Sequence, residues 1–443
     1  METRIVPNQR IAVVGAGISG LAAAWLLASR HEVTLFEAGA YLGGHTHTVD
    51  VSLDGVTHPV DTGFLVFNER TYPNLIALFE HLGVASEETE MSFSVSLENP
   101  ALEWAGSNLA TIFGQKRNLV RGPFWAMLFD ILRFNRESMA WLRAHPDDER
   151  HLGAFLAEGH YSDAFANWYL LPMAAAIWSC PIGQMRDMPL ATFIRFCHNH
   201  GLLQVFDRPL WRTVQGGGRE YVKRLAAGIN DVRQACPVLA VSRDADGLCV
   251  RHAGGGEHFD QVVMACHSDQ ALAILGETAS AAQREVLAAI RYQPNRAVLH
   301  SDPALLPRDR KLWSAWNYFA GVGAEAAGNK QSVGVSYLIN KLQPLPFQTP
   351  VVVTLNPARE PAPARVIAEF DYAHPVFDGP AIAAQQRLAA VQGVGGLWLA
   401  GAWGSYGFHE DGLKSALRVA NGLGVEAPWQ RGEAELNPEA ETV

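Results

Sequence analysis

The sequence predicts an α/β fold: a Rossmann-like domain around a parallel sheet, and a second domain of mixed sheet carrying a helical insertion. Three observations lead there. The run RIAVVGAGISGLAAAWLLASRHEVTLFEAG (10–39) reads as strand, tight turn, helix, strand. The distant segments FDQVVMACHSDQA (259–271) and LWLAGAWGSYGFHEDGLKSALRVANGL (397–423) read as further strands that each lead into a helix. Between the first run and these segments, residues 107–200 have helical periodicity and many aromatics. A chain of 443 residues is too long for one ordinary core, so two or three domains are expected.

The first element is the most specific. Glycines fall at 15, 17 and 20. Gly15 permits the tight turn, Gly17 lets a pyrophosphate approach the backbone, and Gly20 lets the helix pack on the strand. Ile18 and Ser19 open that helix, whose free N–H groups suit a phosphate. Glu37, followed by Ala38, ends the second strand and is placed to bind an adenosine ribose. Dinucleotide binding follows. A second glycine loop, AYLGGHTHTVD (40–50), supplies Gly43, Gly44 and His45. No second full GxGxxG occurs, so no separate nicotinamide domain is expected.

The later elements follow in order. Residues 60–84 read as strand, loop and helix, with Asn68 and Tyr72 either facing a substrate or packing locally. MSFSVSLENPALEWAG (91–106) alternates and reads as a strand pair. In the helical region, Phe124, Trp125, Phe129, Trp168, Tyr169 and Trp178 form either ordinary core or an apolar, lipid-facing entrance. FCHNH (196–200) offers two histidines two apart, which diverge on a helix, and no metal is expected. Gly216–Gly218 make a turn before a helix, and residues 232–275 read as strand, hairpin, strand and helix, with Asp260 ending the hairpin. Alternating strands at 291–319, 332–345 and 351–357 carry Trp313, Trp316, Asn317, Tyr318, Tyr337 and Asn340. The last helix is expected from near Gly412 to Leu423, which puts His409, Glu410 and Asp411 at its N-terminus, where acids cap free N–H groups.

Composition narrows the function. Hydrophobic residues are 48%, charged residues 18% and the net charge is −10, which argues against nucleic acid as partner. Twelve Trp and twenty Phe provide core and, for some, the wall of an apolar cavity. The five cysteines are scattered without a CxxC, as in a reducing compartment. The start METRIVPNQR does not resemble a signal peptide, and WYLLPMAAAIWSC (168–180) is too short to span a bilayer. A cytoplasmic protein is expected, with contact at the inner membrane face left open.

The motifs GAGISG, YLGGH, FNERTYPNL, AWNY, YLINKLQ and GFHEDGLKSA together resemble the flavin-containing amine oxidase and phytoene-desaturase-type FAD oxidoreductases over residues 9–428. Within that superfamily the chain is most similar to bacterial NAD/FAD-binding proteins often encoded beside cyclopropane-fatty-acid synthase-like methyltransferases, some relatives of which are linked to dehydrogenation of methylated acyl chains. The resemblance implies a glutathione-reductase-like, discontinuous FAD domain over 1–88, 210–285 and 385–430. It also implies an amine oxidase-like substrate domain over 89–209 and 286–384, leaving 431–443 as an acidic tail. It places Asp61, Thr62 and Gly63 near the flavin, the backbone of Val241 against the adenine, and Gly401, Gly412 and Leu413 in the last cofactor loop. His45 stands where an Arg is more usual. Non-covalent FAD is implied. His409, Glu410, Tyr406 and Trp316 are the catalytic candidates, with Trp403 as a further aromatic wall. The structural alternative is that His409 packs and Glu410 fixes the loop. Three activities remain open: a dehydrogenase or desaturase of a lipid-like chain, an amine oxidase, or a non-catalytic flavin-binding partner of a lipid methyltransferase.

Overall fold

A computed structural model describes residues 8–145, 150–204, 208–321 and 334–430; the expected acidic tail 431–443 lies outside them. A five-stranded, wholly parallel sheet runs in the order Asp231–Arg233, Glu32–Phe36, Arg10–Val14, Gln261–Met264, Leu397–Leu399. Its central strands are apolar at nearly every position because both faces are covered. On one face lie the helices Ile18–Leu27, Arg219–Ala227 and His409–Gly422. On the other lies a three-stranded antiparallel hairpin sheet, Val238–Asp244, Gly247–His252 and Gly255–Phe259.

A seven-stranded mixed sheet forms the second layer. Its order is Val366–Pro375, Tyr292–His300, Val352–Leu355, Gly334–Leu338, Trp316–Ala320, Phe93–Leu97, Leu102–Ala105. Trp316–Ala320 pairs in parallel with Phe93–Leu97, and every other pairing is antiparallel. The expected strand pair at 91–106 therefore forms one edge of a sheet whose remainder lies some two hundred residues downstream.

The helical insertion packs on this sheet. Its longest helix, Gly122–Ala144, starts with Pro123 in its first turn, where the missing N–H costs nothing. Phe124, Met127 and Phe134 of this helix are buried. Leu190–Asn199 presents Phe193, Ile194, Phe196 and Cys197 to the same core. A π-helical turn over Ala166–Leu170 precedes the helix Leu171–Trp178. Among the described residues no helix is long and apolar enough to cross a membrane.

The C-terminal helix begins at His409, three residues before the expected start. Asp411 explains the shift: its carboxylate reaches back 3.0 Å to accept the N–H of Phe408 and so closes the first turn early. Burial raises the Asp411 carboxyl to about 6, an effect its hydrogen bonds only partly offset.

Candidate functional site

A single cavity of about 1250 Å³ runs between the two sheets. Ligand pockets usually occupy about 300–1,000 Å³, so there is room for a large cofactor together with a second molecule. One end is built by the glycine loops. Gly15 has φ +103°, and a Cβ there would sit 2.9 Å from the carbonyl oxygen of Ala265. A Cβ on Gly20 would come within 1.8 Å of the Gly15 carbonyl oxygen, so Gly20 sets the closeness of helix and strand and does not line the cavity. Gly17 caps the N-terminus of the first helix, and a Cβ there would meet nothing within 4 Å. It opens into the cavity together with Ile18, Ser19, Gly43 and Gly44.

Glu37 and Ala38 line the same end. The Glu37 carboxylate accepts the N–H of Ala16 and of Gly39, each at 2.7 Å, and so ties the second strand to the glycine loop. Thr62, Gly63 and Gly401 also line the cavity.

Beyond this end stands a group of imidazoles. His45 faces His374 and Tyr372, with ring centroids 5.1 and 5.2 Å apart, and lies 6.3 Å from His267. His267 stacks on Tyr292 at 4.1 Å. The amide of Asn295 meets Nδ1 of His374 at 2.7 Å. Burial, and then the neighbouring histidines His374, His267 and His409, hold His45 well below its ordinary pKa. Burial first and His267 second take His374 down to about 4. These rings are therefore neutral near pH 7, and His45 supplies no fixed positive charge. Its Nε2 is buried with no hydrogen-bond partner among the described residues.

The other end is apolar. Trp104, Tyr169, Met173, Ile177, Trp178 and Phe196 wall it, and Trp316, Tyr337 and Tyr406 complete the enclosure. Trp316 meets Tyr337 edge-on at 5.0 Å, and Tyr406 lies 5.8 Å from Phe196. Glu37, Glu90 and Arg208 are the only Asp, Glu, Lys or Arg residues among the described lining side chains.

The catalytic candidates separate. Tyr406 and Trp316 line the cavity, whereas Glu410 does not. Glu410 is buried, and its carboxylate accepts the backbone N–H of Asn74 (3.2 Å), the Asn74 amide (2.7 Å) and the N–H of Leu75 (3.0 Å). Those donors open the helix Pro73–Leu82, so Glu410 caps a neighbouring helix and has no access to a substrate. His409 lines the cavity but is tightly held: its ring stacks on Phe64 at 3.7 Å, and Nε2 meets Thr46 Oγ1 at 2.8 Å and Tyr221 Oη at 3.1 Å. Burial pushes it down to about 3, which leaves a neutral ring that is a poor base at pH 7. We predict that His409→Ala lowers unfolding stability by about 2–4 kcal/mol through lost packing and hydrogen bonds. Flavin reduction should slow less than tenfold, and its pH profile should not move; losing a true general base costs about 10²–10⁴. Stopped-flow reduction measured across pH reads both.

Three cofactor placements also change. Val241 packs in the core and gives its carbonyl to Thr278 Oγ1 at 2.8 Å; Val238, immediately after Pro237, is the residue that reaches the cavity. Gly412 lies under the first helix, where a Cβ would meet Ile18 Cγ2 at 2.7 Å, and its carbonyl accepts the Ser19 hydroxyl at 3.0 Å. Leu413 is fully buried in the same core. The cavity is instead lined by the preceding residues Ala402, Trp403, Gly407 and Phe408. Asp61 is also turned away: it accepts N–H of Gly218 at 3.0 Å and the Gln343 amide at 2.9 Å, so the glycine turn at 216–218 is structural. Asn68 accepts from Arg70, Thr71 and its hydroxyl, whereas Tyr72 reaches the cavity. Trp313, Asn317, Tyr318 and Asn340 are not among the lining residues.

His267, Tyr372 and His374 were not among the expected site residues. One signal was available for two of them: in VIAEFDYAHP (366–375), Phe370, Tyr372 and His374 recur every second residue and share the inward face. Away from the cavity, Asp244, Cys249 and His258 on the hairpin sheet bring ligand atoms within 4.8 Å of one another, a grouping their sequence spacing did not suggest.

Residues 18–300 match the family described as flavin containing amine oxidoreductase. The chain belongs to this family. It is accordingly an FAD-dependent oxidoreductase. Solved structures with the same fold include cyclohexylamine oxidase from Brevibacterium oxydans IH-35A (17% identity, TM-score 0.64, covering 94% of this chain and 99% of that one). The CLA-producing fatty acid isomerase from P. acnes matches at 15% identity and TM-score 0.65, with coverage of 94% and 99%. Reduced UDP-galactopyranose mutase matches at 13% identity and TM-score 0.64, with coverage of 95% and 94%. At these identities the likeness establishes the fold alone. No curated protein matches the sequence.

The residues present fit a flavin dinucleotide. The open space at Gly17 lies at a helix N-terminus, Glu37 lines the same end, and the unpartnered Nε2 of His45 stands on the second glycine loop.

Proposed function

We propose that this oxidoreductase holds FAD non-covalently and removes hydrogen from an apolar, acyl-chain-like substrate, as a dehydrogenase or desaturase. The observation that carries the reading is the continuity of one cavity from the glycine loops to the aromatic wall of Trp104, Tyr169, Trp178 and Phe196. In the apolar part the fit is to hydrocarbon, since aromatic and aliphatic side chains make up most of its wall and, among the described lining residues there, Glu90 and Arg208 alone carry charge. Bound FAD supplies a two-electron, hydride-accepting centre. The chain's own part is to bind it through Gly15–Ser19, Glu37 and Gly43–His45, to orient the substrate between Trp316 and Tyr406, and to exclude water with the surrounding aromatics.

An amine substrate is the second reading, favoured by the aromatic pair Trp316 and Tyr406 at the cavity wall. The experiment is anaerobic reduction of the flavoprotein by free fatty acids, methylated acyl chains in phospholipid, or primary amines. Bleaching of the flavin by acyl chains is the expected result. Bleaching by amines alone overturns the lipid reading, and no bleaching by either class overturns both.

A further inference from the structure

We propose that residues 109–132 form a docking surface for an anionic lipid bilayer. Twelve large apolar side chains are exposed among the described residues, and six lie in this one stretch: Leu109, Leu119, Val120, Trp125, Phe129 and Leu132. Val120 is 87% exposed and Phe129 66%. Scattered single residues would need no explanation; a contiguous set does. Trp125, Phe129 and Leu132 follow i, i+4, i+7 spacing and share one outward face of the helix Gly122–Ala144. The same helix buries Phe124, Met127 and Phe134 on its inner side, so it is apolar on both sides over its first half.

Charge selects the occupant. Residues 109–132 hold Lys116, Arg117 and Arg121 against one acid, Asp130, which pairs with Arg133 at 3.1 Å, although the chain as a whole carries −10. Among the described residues none of these three cations is ion-paired. Arg117 and Arg121 both donate to the carbonyl of Ala101, which keeps their guanidinium groups beside the exposed apolar residues. Apolar side chains rimmed by unpaired cations fit an anionic headgroup layer over acyl chains. The distant acidic surface is screened beyond about 8 Å at physiological salt, so the local excess decides. The helix would lie in the interface, in keeping with the lack of any membrane-crossing helix among the described residues. Trp125 suits that depth: its ring is exposed, and its indole N–H is already satisfied by the carbonyl of Leu119 at 2.9 Å.

The surface is joined to the cavity by successive ring contacts. Trp125 meets Phe113 at 5.3 Å, Phe113 meets Phe124 at 5.9 Å, Phe124 meets Trp104 at 6.2 Å, and Trp104 meets Tyr169 at 6.0 Å. Trp104 and Tyr169 wall the cavity. Docking would set the apolar compartment against the layer that supplies acyl chains. This purpose rests on the proposed substrate class, but docking is measured without turnover, so either can fail alone.

The test is co-sedimentation of the full-length flavoprotein with vesicles of phosphatidylcholine, with and without phosphatidylglycerol. The protein should pellet with the mixed vesicles, less so at high salt. K116E/R117E should weaken binding at least about tenfold. F129D/L132D should do the same, with both variants keeping wild-type flavin absorbance. Failure to bind mixed vesicles, or binding that both double variants leave unchanged, overturns the proposal. So does a concentration-dependent dimer in sedimentation velocity that F129D/L132D dissolves, since the face would then belong to a second copy of the chain.

Discussion

Gly17→Asp is expected to yield a folded protein that has lost its flavin. Gly17 is the N-cap of the first helix, with extended backbone at φ −70° and ψ −179°, which any residue adopts. No atom stands within 4 Å of the position a Cβ would take. Asp is among the preferred N-cap residues and should stabilise the empty fold by a few tenths of a kcal/mol, as its carboxylate accepts free N–H groups of the first turn. Those are the groups a pyrophosphate would use. The substitution therefore occupies the phosphate site and sets negative charge against negative charge, a juxtaposition that costs several kcal/mol. FAD affinity should fall at least about a hundredfold, read by flavin fluorescence titration, with far-UV circular dichroism unchanged. A variant that binds FAD like the parent would show that the dinucleotide does not lie on this helix.

The second large effect is on stability. Glu410→Ala should cost about 3–5 kcal/mol, because it strips the acceptor from two backbone N–H groups and one side-chain amide at a buried helix start. Glu410→Gln keeps the size but turns an amide toward those donors, and should cost less than the Ala variant while remaining clearly destabilising. Urea titration followed by tryptophan fluorescence measures both. Protein that survives at low temperature should reduce its flavin at close to the parent rate, since Glu410 does not reach the cavity. A rate loss of 10² or more with unaltered stability would instead restore the acid–base role suggested by its place beside His409.

These two residues mark what could be read in one dimension. The loop at Gly15–Gly20 was legible because its constraints are local: turn, helix start and close packing fall within six residues. Part of the parallel sheet followed, since Arg10–Val14, Gln261–Met264 and Leu397–Leu399 are short apolar runs that lead into helices. Glu410 was not legible in the same way. Its partners are Asn74 and Leu75, and only the packed fold brings the helix Pro73–Leu82 beneath the last loop. The resemblance carried the last cofactor loop as far as Gly412 and Leu413, whereas Asp411 starts the helix early and leaves 401–403 and 406–409 at the cavity. The imidazole group had a partial signal in the alternation of residues 366–375. Its assembly from residues 45, 267 and 374 depends on three separate segments meeting.

The roles now divide by depth. Glu37 and the glycine loops face the dinucleotide end, neutral histidines form the middle, and aromatic rings enclose the apolar end. His45, His374 and His409 are neutral near pH 7, which under the proposed function leaves positioning and exclusion of water as the chain's main contribution.

The central claim is that the cavity holds FAD without a covalent link. Acid precipitation of the purified, coloured protein, with mass spectrometry of supernatant and pellet, tests it most directly. Intact FAD in the supernatant, in an amount equal to the chain, and unmodified polypeptide in the pellet are expected. Flavin mononucleotide or a nicotinamide dinucleotide in place of FAD, or flavin mass retained on the polypeptide, would contradict it.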